Sequence, residues 1–132
     1  MRMYIRGLNP AQGYLLPTYV DELIPAANPI RLLALFVESL DMEALGFTRA
    51  KAAPTGRPPY DPRVLLMLYI YGYLNRIRSS RMLERECHRN IELWWLLEKL
   101  CPDHNTISDF RMENRAALKK VFRLFVHTCR DL

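Results

Sequence analysis

The chemical feature that stands out in this sequence is a run of arginines in the middle of the chain. Residues 57–90 carry seven basic side chains, all arginine, against three acidic ones, a net charge of +4. Residues 1–56 are neutral with five of each sign, and residues 91–132 carry seven basic against six acidic side chains. A guanidinium group binds phosphate, or the O6/N7 edge of guanine, through two parallel hydrogen bonds. The run indicates a polyanionic partner. A helix face that is only solvated is an alternative of equal weight.

Three of these arginines fall on one side of a predicted helix. At 100° per residue, Arg81, Arg85 and Arg89 lie within about 80° of one another. Leu83 and Cys87 lie roughly opposite. The spacing predicts an amphipathic helix with a basic ridge, to which we add Arg57 and Arg78 as expected phosphate contacts.

A second group of polar residues follows Pro102. The segment Thr106-Ile-Ser-Asp109 has the form of a capping box and predicts a short helix through Arg111. Short helices joined by tight turns are compatible with a helix-turn-helix, in which one helix presents its N-terminal turn to the major groove. The candidate base-reading residues are Asn105, Thr106, Ser108 and Arg111.

Two other patterns are interpreted structurally. Each cysteine has a histidine nearby: Cys87-His88, Cys101-x-x-His104 and His127-x-Cys129. Zinc sites need paired ligands at finger-like spacing, so we predict neither a metal nor a cofactor. Asp103 and Asp109 are expected to cap helices rather than to bind catalytic metal ions.

Aromatic pairs and alternations also have two interpretations. Trp94-Trp95 can form a stacking platform for single-stranded nucleic acid, but the apolar surroundings favour at least one of them in the core. Tyr69, Tyr71 and Tyr73 alternate as in a strand, yet the long run and its helical cap favour a buried helix.

The start and stop signals predict an all-α chain, a small multi-helix bundle with a helix-turn-helix-like part and no convincing strand. The predicted helices start after Asn28-Pro29, run from Asp61-Pro62 to about Ile77, from Arg81 to Arg89 with Asn90 as the stop, from Ile91 to Leu100 before Pro102, from Thr106 through Arg111, and near Arg115–Arg130. Gly46 is expected to end a short turn at Asp41–Leu45.

The Pro- and Gly-rich residues 47–60 are predicted to be a linker. We therefore divide the chain into residues 1–56, a helical segment with the start of that linker, and a helical domain over residues 57–132, expected to form one domain overall.

The last helix carries a second basic stripe. Lys119, Arg123, His127 and Arg130 lie on one side of it, and the residues expected on the other side are Leu118, Phe122, Phe125 and Cys129.

Composition bounds the location of the protein. The longest charge-free apolar run, Val64–Leu74, is far shorter than the roughly 18 residues of a membrane span. Three cysteines are an odd count for a disulfide framework, and no signal peptide is visible after Met1. We expect a cytoplasmic protein with reduced thiols.

Five ordered blocks of the chain carry a resemblance. They are Gly56-Arg-Pro-Pro-Tyr-Asp-Pro-Arg-Val-Leu-Leu, Tyr69-Ile-Tyr-Gly-Tyr, Arg78-Ser-Ser-Arg-x-Leu-Glu, Asn90-Ile-Glu-Leu-Trp-Trp-Leu and Pro102-Asp-His-Asn-Thr-Ile-Ser-Asp-Phe-Arg. Together with Leu16-Pro-x-x-Val-Asp-Glu-Leu-Ile-Pro, they make the chain resemble the N-terminal domain of bacterial insertion-sequence transposases, which cut and paste DNA with an RNase H-like Asp-Asp-Glu domain.

The resemblance implies a helical domain that binds the terminal inverted repeats of the transposon and helps to assemble the synaptic complex. It also implies that the catalytic triad lies downstream, so we expect no catalysis by this chain itself. The expected partner is double-stranded DNA, and a homodimer or the catalytic domain is a further candidate partner.

Two alternatives to DNA binding stay open. The chain can be a helical dimerisation or protein-interaction module that uses the apolar helices Val64–Leu74 and Ile91–Leu100 as its surface. It can also be a truncated, non-functional transposase fragment.

Overall fold

The computed structural model describes residues 4–5, 7–13, 19–48 and 59–131. Over these residues it contains helices and no strand, so the predicted all-α class is confirmed. One short 3₁₀ helix, Val20–Leu23, precedes six α-helices: α1 (Ile30–Glu38), α2 (Pro62–Leu74), α3 (Ser80–Arg89), α4 (Ile91–Leu96), α5 (His104–Glu113) and α6 (Arg115–Arg130).

Side-chain caps set most of the helix starts that the sequence predicts. The Asp61 carboxylate accepts a hydrogen bond from the backbone N–H of Arg63 at 2.9 Å, with Pro62 at the first helical position. Before α1, whose cap position is Pro29, the Asn28 side-chain oxygen accepts from the Ile30 N–H at 2.9 Å. Asn90 both ends α3 and caps α4. Each cap satisfies donors that the first helical turn leaves without partners.

Two helices end earlier than predicted. α2 stops at Leu74 rather than near Ile77, because the Ile77 N–H turns back to the Gly72 carbonyl oxygen at 2.8 Å. α4 stops at Leu96 rather than Leu100, because Glu98 and Lys99 adopt left-handed conformations with φ of 53° and 64°. In both cases the chain turns before the apolar pattern runs out.

The predicted start of the fifth helix is wrong. α5 begins at His104, and its cap is Asp103, whose carboxylate accepts from the Thr106 N–H at 2.7 Å. Thr106 is therefore inside the first turn rather than at the cap. Asp103 caps a helix as expected, whereas Asp109 lies in the middle of α5 and caps nothing.

The core is a single cluster to which α1 through α6 all contribute. α1 packs against α2 and α4, while α3 packs chiefly against α5. The helix containing Tyr69, Tyr71 and Tyr73 is confirmed; Tyr71 is buried, and Tyr73 is exposed at its end. The tryptophan prediction is met only in part, since both side chains are half-buried and Trp95 packs against the edge of the core.

A polar network inside the bundle fixes three helices to one another. The Tyr71 hydroxyl donates to one Glu92 oxygen at 2.7 Å, and the Asn28 amide donates to the other at 2.9 Å. Asn90 donates in turn to the Tyr71 oxygen. Burial and the Glu92 contact raise the pKa of Tyr71, so it remains a donor. The starts of α1 and α4 are thereby held on α2.

The segment before α2 is anchored to the helices that follow. Trp95 of α4 donates its indole N–H to Asp21 at 2.8 Å, and the Arg31 guanidinium pairs with the same carboxylate.

The start of the predicted linker is wrong, because Phe47 is buried and stacks on Phe110 with ring centroids 5.9 Å apart. Residues 49–58 lie outside the described residues, and so does Arg57.

Candidate nucleic-acid interface

The candidate interface is built on α3 and α5, which lie side by side in opposite directions. In the last turns of α3, the Cys87 carbonyl oxygen accepts from the Cys101 thiol at 3.4 Å, just before α5 begins. One turn earlier, the Glu84 carboxylate accepts from the backbone N–H of His104 at 2.8 Å. Cys87 thus contacts residue 101 and the earlier Glu84 contacts the later residue 104. The two helices are therefore antiparallel.

Tyr69 of α2 joins the other end of the same helix pair. Its hydroxyl donates to the Ile107 carbonyl oxygen at 2.9 Å. Burial raises the pKa of Tyr69, and the nearby Ser80 hydroxyl and Arg111 guanidinium oppose that rise. Arg111 and Ser80, the first residue of α3, thus both lie near Tyr69. Arg78 and Arg81 flank Ser80 in the sequence.

The basic ridge that the sequence predicts is present on α3. Arg81, Arg85 and Arg89 are all exposed, whereas Leu83 and Cys87 on the opposite side are each 1% exposed. Because the apolar side is fixed in the core, the three guanidinium groups face solvent together.

Most of these arginines have donors free for a ligand. Arg89 pairs with Glu86, with Nε 2.9 Å from a carboxylate oxygen, and this contact holds the pKa of Glu86 below its usual range. Within the described ranges, Arg78, Arg81 and Arg85 form no ion pair and no side-chain hydrogen bond. Their charge is therefore available to an external anion.

The flank of α5 that adjoins α3 carries two of the predicted base-reading residues. His104 faces α3, and on the helical wheel Ser108 lies about 40° and Asn105 about 100° further toward solvent. Thr106 lies about 160° from Ser108, on the other side of the helix. There it lines a cavity of about 90 Å³ with Tyr60, Asp109 and others. The structure therefore brings Asn105 and Ser108 toward the ridge, and Thr106 away from it.

The N-terminal turn of α5 is already occupied by carboxylates. Asp103 accepts from the Thr106 N–H, and Glu84 accepts from the His104 N–H. These hydrogen bonds lower the pKa of both acids, so both are charged near neutral pH. Two negative charges offset the positive end of the helix dipole and repel phosphate. This end of α5 is therefore unsuited to a phosphate contact. The helix-turn-helix prediction, in contrast, presents the N-terminal turn of a helix to DNA.

The helix-turn-helix prediction is not confirmed by the arrangement of the helices. The pair that packs together, α3 and α5, is interrupted by α4, whose Leu93 and Leu96 are buried in the core. The two helices are thus not joined by a single tight turn.

Arg63 has a structural role that sequence reasoning missed. Its guanidinium donates to the carbonyl oxygens of Val37 at 2.7 Å and Leu40 at 2.8 Å, where α1 ends. The missed signal is its position in the first turn of α2, from which a long side chain reaches a neighbouring helix end. Arg63 therefore adds nothing to the exposed ridge.

The cysteines and carboxylates do not assemble into a metal cluster in the part of the chain that the structure describes. Cys87 is buried, which raises the pKa of its thiol to about 12, so it is a thiol rather than a thiolate. Cys129, expected on the apolar side of α6, is exposed. Among the described helices, none is long and apolar enough to cross a bilayer.

Comparison with known proteins adds one finding. Residues 18–113 match the family model described as Transposase domain (DUF772), over well more than half of the chain. Neither the curated proteins nor the solved structures include a significant match. The matched range contains α1 through α5, including the α3 ridge and the flank of α5. The chain therefore belongs to the Transposase domain (DUF772) family.

Proposed function

We propose that this transposase-family chain binds duplex DNA at the ends of a transposon. The observation that supports this most strongly is the α3 ridge, whose Arg81 and Arg85 are exposed and unpaired within the described residues. Neither arginine has an acidic residue four positions away, and the Glu84 carboxylate, three positions from Arg81, accepts from His104. Their charge is therefore left to an external anion, whereas Arg89 pairs with Glu86.

Affinity comes from the phosphates in this proposal. Arg78, Arg81, Arg85 and Arg89 neutralise backbone phosphates and release condensed counterions, with Arg57 as a further contact from the sequence. These contacts fix the orientation of the protein on the duplex but carry no sequence information.

Sequence preference comes from the outer flank of α5. Arg111 is exposed near the start of α3 and can bind a guanine edge through two hydrogen bonds. Asn105 and Ser108 lie on the adjoining flank and supply shorter contacts to bases. Thr106, which faces the cavity beside Asp109, contributes nothing to this surface.

The proposal assigns no catalysis to this chain. The Asp103 carboxylate is engaged as the cap of α5, and Asp109 lies beside Thr106 and Glu113 on the far flank. A two-metal phosphoryl-transfer site needs carboxylates that converge from a rigid scaffold with the ions roughly 4 Å apart. Strand cleavage is left to an Asp-Asp-Glu domain, as in the transposases that the chain resembles.

The test is duplex affinity as a function of salt. Replacing Arg81, Arg85 and Arg89 together by glutamine is expected to reduce the slope of log K against log salt by up to about 2.7, or about 0.9 per lost phosphate contact. The matched control replaces the same three residues by lysine, which keeps the charge and most of the slope. A wild-type slope near zero, or equal slopes for the glutamine and lysine variants, would refute the proposal.

A groove on another face supports a second candidate function, an interaction module. The apolar surfaces suggested by the sequence are mostly used within the chain, since Leu66, Leu68 and Leu93 are almost fully buried. A cavity of about 900 Å³ nevertheless remains between α1, α2 and α4, lined by Leu35, Trp95 and others. Light scattering during size exclusion separates the two functions: a stable dimer without duplex affinity would favour the interaction module.

A further inference from the structure

α6 carries a second concentration of positive charge that the proposed interface does not use. Every lysine and arginine of the helix is exposed, and the helix contains no acidic residue. The members are Arg115, Lys119, Lys120, Arg123 and Arg130.

These side chains share one side of the helix. Successive members at four-residue spacing, Arg115, Lys119 and Arg123, advance by about 40° each, and all five lie within about 140°. The buried side chains Leu118 and Val121 fall on the opposite side. We call these five residues the α6 stripe. The helix has 16 residues and extends for about 24 Å at about 1.5 Å per residue.

A ring contact places α6 near the end of α2, a few residues before α3 begins. Phe122 packs on Tyr73, in the last turn of α2, with centroids 5.1 Å apart. The chain reaches Arg78 and the start of α3 within a few residues of Tyr73. On the helical wheel Phe122 is about 20° from Arg115 and about 60° from Lys119, so the stripe adjoins the side of α6 that contacts Tyr73. Arg111, in the last turn of α5 and just before α6 begins, lies near Tyr69, as does Ser80 at the start of α3.

The stripe has no internal counter-charge over most of its length. In the described part of the chain, Arg115, Lys119, Lys120 and Arg123 form no ion pair with a carboxylate. The acid at the end of the helix, Asp131, lies 3.7 Å from His127. An unpaired row of cations raises the local concentration of a polyanion.

We propose that the α6 stripe is a second phosphate-binding surface, which extends the contact of the α3 ridge along the same nucleic acid. This inference rests on the proposed function, because the ridge sets where the duplex lies. The mixture of lysine and arginine on a plain helix face suits backbone phosphates rather than base edges. The stripe therefore adds affinity on every sequence and does not alter preference.

The test compares Lys119→Gln/Arg123→Gln with the charge-retaining swap Lys119→Arg/Arg123→Lys. Removal of two phosphate contacts lowers the salt slope by about 1.8, so from about 50 to about 200 mM salt the wild type loses about 12-fold more affinity than the glutamine variant. The swap keeps the wild-type slope. Both sites are exposed, so unchanged urea midpoints are expected and verify that the variants fold.

The outcomes separate this inference from the function beneath it. If the wild type has no salt-dependent duplex affinity, both are overturned. If the wild type binds steeply and the α3 glutamine variant flattens the slope while the α6 variant does not, only the α6 proposal is overturned. If the Lys119→Gln/Arg123→Gln variant loses binding to polyglutamate but keeps the wild-type salt slope on duplex, the stripe binds an acidic protein instead. That result would also overturn the α6 proposal.

Discussion

Gly72 sets how closely α2 approaches α3, and Gly72→Ala is expected to destabilise the fold that carries the ridge. A Cβ at this position would lie 2.8 Å from the Ile77 carbonyl oxygen and 2.9 Å from Leu83 Cδ2. The Leu83 side chain is 1% exposed, and the Ile77 contact is with backbone. Neither group has open space into which to move, so α3 must shift away from α2.

The magnitude follows from two opposing contributions. Overpacking a well-filled core costs about 1–3 kcal/mol, and a backbone contact places this case in the upper half of that range. Alanine is favoured over glycine inside a helix by about 1 kcal/mol. The net expectation is a loss of about 1–2 kcal/mol in the free energy of unfolding.

Urea unfolding followed by circular dichroism measures this loss. Gly13→Ala is the control, because nothing lies within 4 Å of the Cβ it would add, and its stability should stay within about 0.5 kcal/mol of wild type. If Gly72→Ala were as stable as wild type, or more stable, the close packing of α2 on α3 would be refuted.

Two further predictions concern α5. The hydrogen bonds between Glu84 and His104 lower the pKa of Glu84. They therefore stabilise the fold at pH values above the unfolded-state pKa of Glu84, and this stabilisation is lost as the pH falls through the folded-state pKa. Glu84→Gln should therefore lose less stability than wild type between about pH 6 and about pH 3 in urea titrations; an identical loss would contradict this role. Arg111→Gln should relax the preference found by selection from random duplexes more than it lowers affinity for mixed sequence. A parallel fall in both would make Arg111 a phosphate contact.

Local signals in the sequence predict much of this fold because short-range hydrogen bonds decide it. Asp61, Ser79 and Asn90 each bond to backbone N–H groups two or three residues ahead, and the helices start beside them. The side-chain period on α3 also holds, since core burial of Leu83 and Cys87 forces the arginines outward. The fold class and the arginine ridge on α3 can therefore both be predicted from local sequence patterns.

The predictions from local sequence are wrong where contacts between distant residues determine the structure. Asp103 and Thr106 both suit a helix cap, and the Glu84 carboxylate, twenty residues away, fixes His104 as the first helical residue. Phe47 follows a glycine turn in a polar stretch, yet Phe110 provides an aromatic partner that no local pattern reveals.

Site residues divide in the same way. Whether an arginine is free or engaged depends on carbonyl groups brought near by folding, as for Arg63 at the end of α1. Exposure on an amphipathic helix is predictable, but engagement is not.

The most direct measurement is a backbone amide NMR titration of the whole chain with a mixed-sequence duplex. We expect shifts concentrated in the outer face of α3, the Asn105–Arg111 flank of α5 and the exposed side of α6, and we expect added salt to reverse them. Shifts confined to the groove between α1, α2 and α4, or none on α3, would contradict this expectation.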